Sequence, residues 1–260
     1  MSETTPLDIL AIAAHPDDIE ITCGGTLIKM AGKGCRTGAL DLTRGEMGTY
    51  GDEKMRDDEA ARAAEILGLS YRQNLSLPDS GIEYTQSNKL AIAQVIRNTH
   101  PELVILPHWR QRHPDHLACS RLGYDACFLS GLKKAALEGE AFRPRKIIYV
   151  SYFRNTDYSF MVDISDEFEQ KCRAVAVYQS QFGQTSGDKI KQALKSTLNL
   201  PDLIRSGGKN VFQPGTGIYD LMHTRAHQLG QMVGVEYAEA FTIREHILID
   251  DPQTMPVRSM

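Results

Sequence analysis

The sequence lacks the features of several large classes of protein. It contains no run approaching the ~20 apolar residues that cross a bilayer, and Met1–Pro6 is polar and acidic where a signal peptide is basic. Lys and Arg number 29 against 33 Asp and Glu, so no global positive field exists to hold a nucleic acid or an anionic membrane. These absences predict a cytoplasmic protein whose partners are neither nucleic acids nor membranes.

Disulfide frameworks and several familiar catalytic motifs are missing as well. The five cysteines are odd in number, scattered and never spaced as Cys-x-x-Cys, which argues against both a disulfide scaffold and a structural zinc cluster. The chain has no GxGxxG loop, no Walker loop, no GxSxG elbow and no HExxH helix. Dinucleotide and P-loop chemistry are therefore disfavoured.

What is present is an ordinary globular composition with an alternating pattern. Hydrophobic residues make up 42% and charged residues 24% of 260 residues, enough for one large α/β domain. The first two-thirds alternates short apolar runs with helical spacing, which is typical of βα units in a mostly parallel sheet. We therefore predict one domain over residues 1–260, a Rossmann-like α/β fold whose mostly parallel sheet is flanked by helices, with an elaborated C-terminal third.

The individual elements follow from apolar periodicity and turn residues. The predicted strands are Leu7–Ala14, Arg36–Thr43, Tyr71–Leu75, Leu103–Pro107, Lys146–Tyr152 and Phe160–Val162. The predicted helices are Ile19–Lys33, Asp52–Leu67, Ser87–Thr99, Asp115–Leu129 and Asp163–Tyr178, with further helical stretches near Ile190 and Met222. We expect Asp163 or Ser165 to cap the helix that begins near residue 163.

Two short polar segments stand where a buried strand gives way to a helix. They are His15-Pro16-Asp17-Asp18 and His113-Pro114-Asp115-His116. Such corners lie at the carboxyl edge of a parallel sheet, where sites in open α/β folds form. Either segment alone is a common turn or helix cap, but two that face each other supply enough imidazoles and carboxylates for a metal with three protein ligands and an open position. That ligand number is typical of a catalytic metal centre.

The same residues carry a family resemblance. The segments AHPDDIEITCGGTL, TRGE at Thr43–Glu46, the helix start Arg56-x-x-Glu59-Ala60, the LPDSG turn and HPDH resemble the LmbE/PIG-L family of zinc-dependent N-acetylglucosamine deacetylases. This similarity covers most of residues 5–130. Near the end of the chain, Gly230–Phe241 resembles the tail of the bacillithiol-pathway deacetylases, which act on N-acetylglucosaminyl malate.

The resemblance implies a metal ligand set of His15, Asp18 and His116, with water or hydroxide at the open position. A zinc ion there would lower the pKa of water to ~7 and polarise an acetamide carbonyl. Two histidines and one carboxylate also suit Fe(II), so the metal stays open between Zn²⁺ and Fe²⁺.

The resemblance also implies catalytic roles for the remaining residues of the two corners. Asp17 matches the general base, and His113 matches the residue that stabilises the oxyanion and protonates the leaving amine. Asp115 is expected to hydrogen-bond His113 and keep it cationic.

Other positions resemble family residues that contact the sugar or its aglycone. They are Glu46, Arg56, Asp79 and Arg112, and more weakly Tyr178 and Arg225. An arginine near the site suits a malate or phosphate group, because its planar fork pairs bidentately with such anions. His108 and Trp109 are expected to shape the pocket wall. His223 and His227 have a spacing that can bind metal, but no third ligand accompanies them.

These observations predict a metal-dependent amidase that removes acetate from an N-acetylglucosamine conjugate, with N-acetylglucosaminyl malate as the first candidate. A mycothiol-type inositol conjugate, a diacetylchitobiose fragment and an antibiotic intermediate stay open as substrates. A sugar- or metal-binding protein without turnover is the alternative from another class. The expected partner is a small-molecule amino sugar, and the resemblance implies a homo-oligomer, with a hexamer among the options.

Overall fold

The computed structural model describes residues 6–152, 156–182, 217–251 and 253. Its strands are β1 Ile9–Ala13, β2 Thr37–Thr43, β3 Tyr71–Leu77, β4 Leu103–Pro107, β5 Lys146–Val150, β6 Phe160–Asp163 and β7 Ala238–Thr242. Its helices are α1 Asp18–Gly32, α2 Glu53–Leu67, α3 Gln86–Thr99, α4 Pro114–Leu129, α5 Phe168–Ala176 and α6 Ile218–Val233. The helical stretch predicted near Ile190 lies outside the described residues.

The strands form one seven-stranded sheet in the order β3-β2-β1-β4-β5-β7-β6. The first five are parallel, and β7 runs antiparallel to both β5 and β6. This arrangement confirms the predicted Rossmann-like, mostly parallel α/β fold. Since β1 lies between β2 and β4, the order reverses there, and the carboxyl ends of β1 and β4 open onto the crevice where such folds bind ligands.

The core has one layer on each face of the sheet. Strand β1 is buried throughout because its residues alternate between the two layers. Leu10 and Ile12 pack in the layer that includes residues of α3 and α4. Ala11 and Ala13 pack in the layer that includes residues of α1. The continuous apolar run at the start of the chain is therefore that of a strand covered on both faces, which fixes the corner that follows it.

The C-terminal third completes the sheet and is tied to α1. Glu239 on β7 accepts hydrogen bonds from the backbone N of Gly25 and of Thr26 at 2.9 and 2.8 Å, and from Lys171 Nζ at 2.5 Å. A Cβ at Gly25 would lie 2.8 Å from the side chain of Ile164, so glycine permits this close approach. The far end of the chain therefore helps to hold the helix that begins at the first corner.

The predicted helix Asp163–Tyr178 is present, but its predicted start and cap were wrong. Helix α5 begins at Phe168, and Asp163 ends β6. The carboxylate of Asp163 accepts hydrogen bonds from the backbone N and hydroxyl of Ser165 at 3.0 and 2.6 Å, and this local pairing forms a turn instead of a helix cap. Among the helices within the described ranges, none is long and apolar enough to cross a membrane.

Candidate active site

The first corner is a sharp turn between β1 and α1. Asp17 has φ 103°, in the left-handed region that residues other than glycine rarely adopt, and α1 begins at the next residue. The turn brings the Asp18 carboxylate back onto His15. Asp18 Oδ2 accepts a hydrogen bond from the backbone N of His15 at 3.0 Å and lies 3.2 Å from Nδ1 of the His15 ring.

The second corner leads from β4 into α4 without such a turn. His113 is extended, with φ -76° and ψ 129°, and its Nδ1 accepts a hydrogen bond from the backbone N of Asp115 at 3.2 Å. Pro114 occupies the first turn of the helix, where proline is favoured because no hydrogen-bond donor is needed. His116 then projects from that turn, and its Nε2 lies 3.1 Å from Asp18 Oδ2.

Together the two corners form a group of three ligand atoms. One ligand atom from each of His15, Asp18 and His116 lies within 4.8 Å of the other two. Ligand atoms around a tetrahedral zinc ion, at 2.0–2.1 Å from it, lie about 3.3 Å apart, close to the distances of 3.2 and 3.1 Å from Asp18 Oδ2 to the two nitrogens. The donor set and spacing therefore fit a divalent ion such as zinc.

The outer nitrogen of His15 faces two more carboxylates. Its Nε2 lies 3.1 Å from Asp79 Oδ1 and 3.4 Å from Asp115 Oδ2. Burial would lower the pKa of His15, but its hydrogen bonds to Asp18 and Asp79 outweigh burial and raise the pKa to about 11. The site therefore favours positive charge strongly. A carboxylate on the outer nitrogen is also how proteins orient metal-binding imidazoles.

The expected hydrogen bond between Asp115 and His113 is present, but the backbone N of Asp115 makes it and the carboxylate does not. The Asp115 carboxylate accepts from the backbone N of Ser80 at 2.7 Å and faces His15, whereas only its backbone N reaches His113. The pKa of His113 is lowered, first by burial and then by the charges of His15 and His116. His113 is thus not held cationic by Asp115. Because Nδ1 accepts the backbone N–H, the proton of a neutral His113 ring belongs on Nε2.

Asp17 is buried beside the group of ligand atoms and pairs with an arginine. Arg56 Nη1 lies 3.3 Å from Asp17 Oδ2, and Arg56 Nη2 donates to the carbonyl of Pro16 at 2.7 Å. Burial raises the pKa of Asp17 to about 8, although Arg56 opposes the shift. A carboxylate that titrates near neutral pH suits a general base.

Arg56 itself is only 3% exposed, so the structure places it behind Asp17 instead of on an open surface. A Cβ at Gly45 would lie 2.4 Å from Arg56 Nη2, and Gly45 has a positive φ of 69°. Glycine is therefore required for the TRGE segment to pass over the guanidinium. Arg56 therefore exposes almost no surface to a substrate, although the sequence predicted a contact there.

Two loops meet at the edge of the site. Glu46 Oε1 accepts a hydrogen bond from the backbone N of Asp79 at 2.8 Å, and the backbone N of Met47 donates to Asp79 Oδ2 at 2.9 Å. Asp79, in the LPDSG turn, therefore contacts both His15 and the loop that follows β2. Glu46 and Arg112 are exposed, and Arg112 directly precedes His113.

Several residues expected more weakly have partners within the protein. Tyr178 is fully buried, donates its hydroxyl to Glu20 Oε1 at 2.9 Å, and lies with its ring centroid 5.7 Å from the guanidinium carbon of Arg56, so it has no exposed surface for a sugar. His108 is buried and stacks on Trp109, with ring centroids 4.0 Å apart. Arg225 hydrogen-bonds the Tyr158 hydroxyl.

The pair of histidines on α6 has other partners. His223 Nε2 lies 3.1 Å from the Tyr237 hydroxyl, and His227 Nδ1 lies 3.1 Å from the carbonyl of Glu236. Within the described residues, no group of three ligand atoms includes either ring.

Tyr152 is a site residue that sequence reasoning missed. Its ring centroid lies 5.6 Å from that of His116, and burial holds its pKa well above the usual range. The run Lys146–Tyr152 was predicted as one strand, but β5 ends at Val150. The signal was therefore its position after a parallel strand, at the same edge as both corners.

Comparison with known proteins agrees with this geometry. Residues 10–127 match the family described as PIG-L: GlcNAc-PI de-N-acetylase. The diacetylchitobiose deacetylase of Thermococcus kodakarensis is 35% identical over 188 residues, which cover 67% of this chain and 70% of that protein. The 1D-myo-inositol 2-acetamido-2-deoxy-alpha-D-glucopyranoside deacetylase of Kineococcus radiotolerans is 29% identical over 152 residues, 43% of this chain and 42% of that protein.

A solved structure extends the similarity to nearly the whole chain. A conserved protein from Thermus thermophilus has 37% sequence identity and a TM-score of 0.77, covering 94% of this chain and 97% of that one. The similarity to this structure therefore extends well beyond residues 10–127. On these similarities, the chain belongs to the PIG-L family of deacetylases.

Proposed function

We propose that the protein is a metal-dependent N-deacetylase that removes acetate from an N-acetylglucosamine conjugate. The observation that carries the proposal is the joint geometry of the two corners. Three ligand atoms lie within 4.8 Å of one another, with the carboxylate of Asp17 next to Asp18 in sequence and the ring of His113 5.0 Å from that of His116. A base and a hydrogen-bond donor for the oxyanion, both beside a metal, are groups that amide hydrolysis uses.

The metal would be held by His15, Asp18 and His116, with Asp79 and Asp115 orienting His15 through its outer nitrogen. A divalent ion bound there supplies Lewis-acid chemistry, lowering the pKa of water and polarising an amide carbonyl. We propose zinc as the ion. Iron(II) accepts the same donors, so metal loading is part of the test.

Asp17 and His113 have separate roles: Asp17 moves the proton, and His113 stabilises the developing negative charge. The Asp17 carboxylate takes a proton from the attacking water, and Arg56 holds that carboxylate in place. The Nε2–H of His113 donates a hydrogen bond to the carbonyl oxygen as negative charge develops there, because its Nδ1 is occupied by the backbone N–H of Asp115. The proton taken up by Asp17 then passes to the leaving nitrogen. The C–N bond of the amide breaks, the water oxygen joins the acyl carbon, and the products are acetate and a free amine.

The sugar would enter where Glu46 and Arg112 are exposed, on loops beside the half-buried Asp79. We propose these three as substrate contacts and Arg56 as a positioning residue for Asp17. Named relatives act on diacetylchitobiose and on an inositol glycoside, so the conjugated group varies in the family.

The tail that resembles bacillithiol-pathway enzymes does not single out malate. A Cβ at Gly230 would lie 2.6 Å from the carbonyl of Glu236, and Glu239 is engaged with α1 and Lys171. Packing alone therefore accounts for these two residues. The malyl conjugate is tested on equal terms with the others.

The deciding experiment measures release of primary amine from four amides at equal concentration: N-acetylglucosaminyl malate, N-acetylglucosaminyl inositol, diacetylchitobiose and N-acetylglucosamine. Protein loaded with zinc or iron should hydrolyse at least one of them, lose activity with a chelator and regain it with metal. Asp17→Asn is the control, expected to bind metal without turnover. Tight binding of one metal ion with no hydrolysis of any amide would instead indicate a binding protein.

A further inference from the structure

A small cavity lies directly behind two of the predicted metal ligands. Asp18 and His116 stand among its lining residues, and its remaining walls come mainly from β1, α1, β4 and β5. The apolar part of the wall includes Ala13, Cys23, Ile105 and Val150, each no more than 6% exposed. We refer to this space as the inner cavity.

The inner cavity is separate from the side on which a sugar would bind. Glu46, Asp79, Arg112 and His113, which stand on the open side, contribute nothing to its lining. Sugar hydroxyls need polar partners, whereas buried apolar walls favour a hydrocarbon group. The metal ligands thus stand between a polar outer side and an inner side whose wall is mainly apolar, with Thr22, Gln111 and Tyr152 as its other polar members.

The size of the inner cavity limits what it can hold. About 20 Å³ is open to the centre of a water-sized group, and one such group needs roughly 10–15 Å³. A methyl group is close to a water molecule in size. The cavity therefore has room for one or two groups of this size and not for an extended chain.

We propose that the inner cavity is the acyl pocket, which takes the methyl of the N-acetyl group and rejects longer acyl chains. This inference rests on the proposed deacetylation, because it assigns the two ends of the amide to the two sides of the metal ligands. The hydrolysed group would be set by the walls of the cavity and the sugar by the outer loops. One additional methylene in an apolar pocket changes specificity by about 10–200-fold.

Val150 is the wall residue that tests this inference most directly. It lines the inner cavity and also a second cavity beyond it, which includes Tyr158, Met222 and Arg225. Truncation of Val150 removes part of the wall between the two spaces, so a longer acyl chain gains room. Ile148 is the matched control, because it lies on the same strand and in the same core layer but does not line the inner cavity.

The experiment compares kcat/KM for N-acetyl, N-propionyl and N-butyryl forms of the best amino-sugar substrate. The unaltered protein should prefer acetyl to butyryl by at least ~100-fold. Val150→Ala should reduce that ratio at least ~10-fold, and Ile148→Ala, which loses at least as much packing, should leave it unchanged. Equal rates on acetyl and butyryl amides in the unaltered protein, or an unchanged ratio in Val150→Ala, would overturn the proposal.

A binding measurement separates this proposal from the proposed function. Acetate and butyrate are added to the zinc-loaded protein, and broadening of their methyl proton resonances reports binding. Acetate should bind to the unaltered protein and butyrate should not, whereas Val150→Ala should bind both. If no amide is hydrolysed but this pattern holds, deacetylation fails and the size-selective pocket stands; if amides are hydrolysed and both acids bind the unaltered protein, the pocket fails alone.

Discussion

The two strand-to-helix corners both begin with His-Pro-Asp, but their histidines have different surroundings. At the first corner, His15 lies against Asp18 and its outer nitrogen faces Asp79 and Asp115. At the second, His113 caps α4, and the residue that lies against Asp18 is His116, the fourth of the segment. Identical tripeptides therefore place different side chains at the centre.

The difference arises from where each helix begins. Helix α1 starts after the tripeptide, at Asp18, and the chain reaches it through the positive φ of Asp17, with Pro16 held by Arg56. Helix α4 starts within the tripeptide, at Pro114, with regular backbone before it. Relative to the first histidine of each motif, the two helix starts differ by two residues, which rotates the side chains by about 200°. Backbone geometry, and not the motif, thus distinguishes a ligand from a cap.

Replacement of His116 should give the largest difference between the two corners. His116→Ala is expected to lose stoichiometric zinc on dialysis, with turnover falling beyond the ~10²–10⁴-fold that general acid–base catalysis contributes. His113→Ala should keep its zinc, since that ring caps the helix. Metal analysis of the dialysed proteins gives the answer. Zinc loss in His113→Ala alone would reverse the assignment of the two histidines.

The next largest effect concerns the base and the hydrogen-bond donor to the oxyanion. Asp17→Asn and His113→Asn should each retain zinc and reduce kcat by ~10²–10⁴-fold, because the first loses the base and the second loses the ring N–H that would stabilise the oxyanion. Steady-state rates with metal content measured on the same sample test this. Full activity of Asp17→Asn would exclude Asp17 as the base.

A smaller effect is expected at the outer nitrogen of His15. Asp115→Asn and Asp79→Asn should weaken zinc binding by ~10–100-fold, the usual consequence of losing a partner of a ligating histidine. Competition with a zinc chelator measures the affinity. Glu46→Gln is the control, because Glu46 contacts the backbone of Asp79 and not the ring. Unchanged zinc affinity in Asp115→Asn would contradict the role of Asp115 in orienting His15.

The smallest effect is on stability. His113→Ala should lower the free energy of unfolding by about 0.5–2 kcal/mol, because the cap of α4 is lost. His113→Asn should lower it much less, since asparagine is a good cap. Urea denaturation of the metal-free proteins measures both. Equal losses would show that the ring of His113 stabilises the protein by packing and not by capping.

The sequence anticipated those parts of the fold that depend on local pattern. The strands β1, β2 and β4 are apolar runs between turn residues, and their predicted bounds differ from those observed by no more than two residues. The predicted start of helix α5 was wrong because Asp163 and Ser165 pair with each other in a turn, and local propensity does not decide between a turn and a cap. The predicted contact between the Asp115 carboxylate and His113 was wrong because that carboxylate is bound by the backbone N of Ser80, which is distant in the sequence.

The sequence alone determined the mostly parallel α/β fold and the two polar corners, because apolar periodicity and strand-to-helix order are local properties of the chain. The tertiary structure decided which side chains meet. In it, Arg56 is buried behind Asp17, and the hydroxyl of Tyr178 bonds to Glu20. The carboxylates of Asp79 and Asp115 face the outer nitrogen of His15. These contacts join residues far apart in the chain, and their geometry depends on backbone turns and packing that no local pattern specifies.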